Sequence, residues 1–275
     1  MQMIINYTDQ YDEAILTLIE NYPMEWGYSV PTILALEKDE VVGIGSLSRN
    51  DFHPYREYIK IFVQPENRKM GIGRELFDAL LSQSKQKKFQ TSISSKDEVA
   101  ISFLEHCGFN LARKCYTPIL KNDEPIIINS YPTIKELSPA IQNEVFALQL
   151  DNYREFHQAI NPLNERISFY QWKEMLCENL VLNRSYVLLK DEEVSAYVLC
   201  YEGDVPEKIE IGYVGGRNIS SLEEYVIFYK QLADRLIQDF DVVEIEADDV
   251  DPYASALLNQ FAYDRSDSFD AYLFG

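Results

Sequence analysis

The sequence predicts a mixed α/β protein in which one α+β unit occurs twice in tandem. The chain repeats itself: Asp97-x-x-Ala100-x-x-Phe103-Leu104-x-x-x-Gly108-Phe109 returns as Asp251-x-x-Ala254-x-x-Leu257-Leu258-x-x-x-Ala262-Tyr263, and Glu40-Val41 returns as Glu193-Val194. The offsets are 154 residues (97 to 251) and 153 (40 to 193), too nearly equal for chance. The length, 275 residues, leaves room for two ordinary domains. Each copy also alternates apolar runs at strand spacing with apolar stripes at helix spacing, in the order strand, helical region, hairpin, strand, helix, strand, helix, strand.

In the first copy these elements fall at residues 3–7, 11–22, 33–44 (two apolar runs joined by a charged turn), 58–63, 71–87, 89–93, 97–107 and 110–120. Leu76, Phe77, Leu80 and Leu81 share one helix face and mark it as core. The polar stretch Lys121-Asn122-Asp123-Glu124-Pro125 reads as the junction, giving domains 1–121 and 125–275. In the second copy the elements fall at 126–130, 134–180, 186–197, 208–214, 222–239, 242–246, 253–261 and 269–274, with Leu222, Tyr225, Val226, Tyr229, Leu232 and Leu236 as the corresponding core stripe. The helical region of this copy is longer, and its additional residues include Asp151, Tyr153, Arg154, Phe156, His157, Tyr170 and Trp172. They either wall an acceptor pocket or form helices that pack on the first domain.

Hydrophobic residues make up 46% of the chain, so it is globular, and 45 acidic against 25 basic residues give a net charge of -20. That balance argues against nucleic acid and anionic membrane as partners. It suits a small cationic molecule, or it serves solubility alone. No basic leader or long apolar run is visible, so a cytoplasmic protein is expected. Cys107, Cys115, Cys177 and Cys200 have no C-x-x-C spacing and no neighbouring His53, His106 or His157, which predicts reduced structural thiols and no metal.

The most informative segment is Ile59 to Leu76, a strand that runs through Val63-x-Pro65 into Arg68-x-x-Gly71-x-Gly73 and then a helix. Glycines let the turn's N–H groups close on an anion, and the helix start adds unpaired donors and a positive dipole end. This motif resembles motif A of the GNAT superfamily of acyl-CoA-dependent N-acyltransferases, and the order of elements resembles the GNAT fold in both copies. The resemblance implies acetyl-CoA as co-substrate, bound by Arg68, Lys69, Met70, Gly71, Ile72, Gly73 and Arg74, with contacts from Asp97 and Phe103. It implies that the backbone of Ile61, Phe62 and Val63 holds the pantetheine in a gap between strands 59–63 and 89–93, with the Val63 N–H polarising the thioester carbonyl. A small-molecule amine would then attack directly, without an acyl-enzyme.

The family's usual proton-donating Tyr is Leu104 here, and Asp97 stands where many members carry Asn. Glu57 is the first choice for the general base, with His53 beside Asp51 as the alternative. In the second copy, Gly215-Gly216 comes too early for the motif, and Ser220, Ser221, Glu223 and Glu224 occupy the helix entrance. This copy is expected to have lost its CoA site, with Gly215-Gly216 as a structural turn. The leading expectation is an N-acetyltransferase; the alternative is a non-catalytic acyl-CoA-binding or interaction protein. A dinucleotide fingerprint is excluded, because Leu76 stands where its third glycine belongs.

Overall fold

The computed structural model describes residues 3–7, 32–38, 40–122 and 129–275. The expected helix at 11–22, part of the junction and most of the strand at 126–130 lie outside them. The described elements run β1 (Met3–Tyr7), β2 (Thr32–Glu37), β3 (Glu40–Ser48), β4 (Glu57–Val63), α1 (Ile72–Gln83), β5 (Phe89–Ser94), α2 (Glu98–His106) and β6 (Asn110–Tyr116). They continue with α3 (Pro139–His157), α4 (Phe169–Leu176), β7 (Tyr186–Lys190), β8 (Glu193–Glu202), β9 (Lys208–Gly216), α5 (Leu222–Asp239), β10 (Val242–Ile245), β11 (Ala247–Asp248), α6 (Pro252–Leu258) and β12 (Phe269–Phe274). Among the described residues no helix is long and apolar enough to cross a membrane.

The chain forms two compact units that do not follow the expected division at 121–125. Unit 1 comprises Met1–Ile93, Asp97–Ala112 and Ala271–Gly275; unit 2 comprises Ser94–Lys96 and Arg113–Asp270. The end of β12, expected to close the second domain, belongs to unit 1. The reason is aromatic packing: the Phe274 ring sits 5.3 Å from Phe77, 5.8 Å from Phe89 and 5.4 Å from Phe109. Strand periodicity says that 269–274 pairs with something, but not in which sheet.

In unit 1 the strand order is β1-β2-β3-β4-β5-β12-β6. β1 to β4 form an antiparallel meander, and β5 joins β4 in parallel. Helix α1 buries Ile72, Leu76, Phe77 and Leu80, the stripe spacing of the sequence, against Ile33, Leu47, Ile59 and Phe89. Burying each such side chain stabilises the fold by roughly 1.5–3 kcal/mol. A Cβ on Gly45 would lie 2.9 Å from Leu80, so this glycine lets α1 approach the sheet closely. α1 stops at Gln83, four residues before the expected end, because Ser84-Lys85-Gln86-Lys87 offers no apolar residue to bury.

In unit 2 the sheet order is β10-β9-β8-β7, and β11 pairs with the end of β6. α5 spans the expected residues and buries Tyr225, Phe228, Tyr229, Leu232 and Leu236. The longer helical region forms α3 and α4, and α3 packs on β8 and β9 of its own unit. Trp172 is 1% exposed and donates from Nε1 to Gln149 Oε1 at 2.7 Å, whereas Tyr170 is exposed. Gly215 and Gly216 are the last residues of β9 and not a turn. Side chains on them would collide with Tyr197 and Asn152 and with Tyr225 respectively, so they serve packing.

Candidate active site

β4 and β5 separate soon after they meet. Their parallel pairing is confined to Glu57 with Phe89 and Tyr58 with Gln90, while β4 stays paired with β3 as far as Val63 with Gly43. Two hydrogen bonds fix which backbone groups face the gap. Glu57 N–H donates to Lys88 C=O at 2.9 Å, toward β5, and Gln64 N–H donates to Val42 C=O at 2.9 Å, toward β3. Since successive residues of a strand point their N–H and C=O to opposite sides, odd-numbered residues of β4 address the gap and even-numbered ones address β3. Ile61 and Val63 therefore direct their backbone groups into the gap. Phe62 directs its backbone at β3, opposite Ile44, which corrects its expected part in backbone contacts to pantetheine. The Val63 carbonyl accepts from Arg68 Nε at 3.0 Å, so its N–H is the group left to act as a donor there.

The segment after β4 forms a glycine turn that opens α1. A 3-10 turn over Pro65–Asn67 leads through Arg68 to Lys69, at φ 63, and to Gly71, the N-cap of α1, at φ 88. No side chain caps this helix, and its first ladder bond runs from Glu75 N–H to Gly71 C=O at 3.1 Å. The N–H groups of Ile72, Gly73 and Arg74 precede that bond and have no helical acceptor. An added Cβ on Gly71 would meet nothing within 4 Å, so open space lies over the helix start. That is the geometry an anionic group requires. An added Cβ on Gly73 would come 3.1 Å from the Phe103 ring, so Gly73 serves close packing of α2 on α1.

The other expected contacts are distributed unevenly. Lys69 and Met70 are exposed at the turn, and the Ile72 side chain is buried, which leaves its backbone for binding. The Arg68 guanidinium lies 5.7 Å over the Phe62 ring. Arg74 Nε donates to both Asp78 oxygens at 3.0 Å, an exposed pairing that solvent screens. Asp78 was not singled out in the sequence, although its i,i+4 spacing from Arg74 is visible there. Asp97 is the N-cap of α2, its Oδ1 accepting from Ala100 N–H at 2.9 Å, so its carboxylate has a structural partner.

Glu57 does not have the surroundings of a general base. It is 1% exposed, its Oε1 accepts from Arg49 at 3.0 Å and 2.7 Å, and its Oε2 accepts from Ser84. A base must meet the amine directly or through one water, and this carboxylate is enclosed by its own partners. Leu104 is 7% exposed and belongs to the core of unit 1, so nothing at that position donates a proton. In unit 2 the helix entrance after β9 is crowded with side chains. Asn218 accepts from Ser220, Arg217 is ion-paired with Glu144, and Glu224 with Lys190. Glu223 and Glu224 stand in the first turn of α5, where an anion would be repelled. Among the described residues no group of three or more His, Cys, Asp or Glu is arranged to hold a metal ion.

Residues 3–109 match the acetyltransferase (GNAT) family model. The whole chain has the fold of solved GNAT structures. It is similar to a GCN5-related N-acetyltransferase from Sphaerobacter thermophilus at 14% identity and TM-score 0.57, covering 95% of this chain and 84% of that one. A tandem GNAT protein from the clavulanic acid biosynthesis pathway aligns at 13% identity and TM-score 0.55, covering 99% and 98%. A GCN5-related glucosamine N-acetyltransferase region of a fungal multi-domain GH3 β-N-acetylglucosaminidase aligns at 12% identity and TM-score 0.63, over 100% of this chain and 38% of that one. No curated protein matches in sequence. The match over residues 3–109 supports acyl transfer from acyl-CoA as the class of reaction.

Proposed function

We propose that the chain is a cytoplasmic N-acetyltransferase that moves the acetyl group of acetyl-CoA directly to the amine of a small, cationic acceptor. The observation that carries this reading is the coincidence, in unit 1, of a split β4–β5 pair with an uncapped, open helix start at Gly71. In this reading the N–H groups at Ile72, Gly73 and Arg74 receive the pyrophosphate, assisted by Arg68, Lys69 and Arg74. The Ile61 backbone and the Val63 N–H line the gap for the pantetheine arm. A Val63 N–H aimed at the thioester oxygen stabilises the charge that develops as the amine adds, a contribution of about 2.7–4 kcal/mol for one such donor. The thiol that leaves has an ordinary pKa of about 8.5, so it can depart as thiolate without the family's Tyr.

A second reading, an acyl-CoA-binding protein without turnover, draws on the buried Leu104 and the enclosed Glu57. Release of free thiol from acetyl-CoA over a panel of amines separates the two. Amine-dependent release that disappears in Gly71→Glu supports the enzyme. Binding of acetyl-CoA with no release for any amine supports the second reading.

A further inference from the structure

Unit 2 has its own strand separation. β9 and β10 pair in parallel over Lys208–Ile211 and Val242–Ile245, after which β9 continues beside β8 and the other strand turns away as β11. A charged cluster gathers at that point. Arg113 is ion-paired with Asp248 Oδ2, His157 Nδ1 lies 3.3 Å from the same oxygen without hydrogen-bond alignment, and Cys115 Sγ lies 3.7 Å from Glu246 Oε1. Tyr213 of β9 is close enough to Glu246, Asp248 and Arg113 to feel their charges. Asp251 is 3.8 Å from His157 Nε2, but its Oδ1 caps α6 at Tyr253 and Ala254, so it has a structural task.

What the fold does not explain is three buried polar atoms that lack any hydrogen-bond partner: Arg113 Nε, His157 Nδ1 and Asp248 Oδ1. Asp248 and His157 are each 7% exposed. Folded proteins leave few such atoms, and here three converge on one cluster. Glu246, by contrast, is open to solvent on one side although protein crowds it, so entry is from its side. Counting Arg113 against Glu246, Asp248 and Asp251, the cluster is net negative whether or not His157 is protonated. An anion is therefore disfavoured, and no metal-holding group of side chains is present among the described residues.

We propose that this cluster in unit 2 is a binding site for a small hydroxylated primary amine. Its ammonium would lie between Glu246 and Asp248 Oδ1, and its hydroxyl oxygen would accept from Arg113 Nε. Arg113 Nε and Asp248 Oδ1 are buried, so binding requires a local rearrangement that exposes them. Crowding raises the carboxyls of Glu246 and Asp248 above the usual carboxylate range, chiefly by desolvation, and an arriving cation would oppose that effect.

The test follows the melting temperature of the full chain with ethanolamine, glucosamine and 1,3-diamino-2-propanol at matched ionic strength. Glucose and N-acetylglucosamine serve as uncharged controls. The expected result is a saturable rise with at least one amine and none with the controls. Glu246→Gln should raise the midpoint concentration about fivefold, the factor for one solvent-facing charge at contact distance, and Asp248→Asn should abolish the response. If Asp248→Asn fails to fold, the exposed Glu246→Gln still decides the matter. No response to any of the three amines, or an undiminished response in Glu246→Gln, overturns the proposal. The response should persist in Gly71→Glu, so this site stands or fails separately from acetyl-CoA binding in unit 1.

Discussion

Replacing Gly71 by Glu isolates the anion turn from the stability of the fold. At φ 88 a side chain costs about 1–2 kcal/mol of backbone strain. A carboxylate at a helix start offsets this by roughly 0.3–1 kcal/mol. The new side chain meets nothing within 4 Å of its Cβ, so no packing is lost. Net destabilisation is thus about 0–2 kcal/mol, and the domain stays folded at 25 °C. Binding suffers far more. Two unit charges about 4 Å apart repel by about 1 kcal/mol in bulk water and about 4 kcal/mol at the effective dielectric of a protein surface. Affinity for acetyl-CoA should fall between roughly fivefold and a thousandfold, at about 1.4 kcal/mol per tenfold. Titration calorimetry measures the affinity, and a thermal melt verifies folding. A folded Gly71→Glu protein that binds acetyl-CoA as tightly as the parent would refute the turn as the pyrophosphate site.

Calorimetry on the intact chain should give one acetyl-CoA per chain, because the α5 entrance carries Glu223 and Glu224; two equivalent sites would contradict that account. Glu57→Gln should lower the rate of thiol release by less than about threefold, whereas loss of a true general base costs about 10²–10⁴; a drop in that higher range would reinstate Glu57 as base. Phe274→Ala should destabilise unit 1 by about 2 kcal/mol, less than the 3–5 of a fully buried ring, and deletion of Ala271–Gly275 should abolish acetyl-CoA binding; chemical denaturation and calorimetry test both. If the net charge of -20 steers the amine, its KM should rise with ionic strength while kcat holds, and a KM that ignores salt would leave the acidity to solubility.

Helices α1 and α5 were legible because each must bury a stripe at 3.6-residue spacing, and the sequence displays Leu76, Phe77 and Leu80, or Tyr225, Tyr229, Leu232 and Leu236, at that spacing. The glycine turn was legible for a related reason: the positive φ at Gly71 and the close approach at Gly73 each exclude a side chain, so both constraints leave glycines behind. Other features depend on partners far away in the chain. Glu57 looks like any carboxylate at the start of a strand until Arg49 and Ser84 close around it. The separation of Phe62 from Ile61 and Val63 depends on register, which the Gln64–Val42 bond fixes and no local pattern encodes. The alternation of β12 gives its bounds but fits any half-buried sheet, so it does not say which unit the strand joins.

The two units together show which feature carries functional information. A parallel strand pair that separates after a few residues occurs in both, at Tyr58 with Gln90 and at Ile211 with Ile245. The split therefore belongs to the fold and cannot by itself assign an acyl-CoA site. What differs is the chain just beyond it. In unit 1 the helix start is capped by a glycine with open space above it; in unit 2 it is preceded by Ser220 and Ser221 and followed by two glutamates. The glycines closing β9 are spent on packing against Tyr197, Asn152 and Tyr225. The fold thus supplies a gap twice, and the residues at the helix entrance decide whether an anion can be held beside it. The proposed acyl-CoA function of unit 1 rests on that local chemistry, and so does the proposal that unit 2 lacks one.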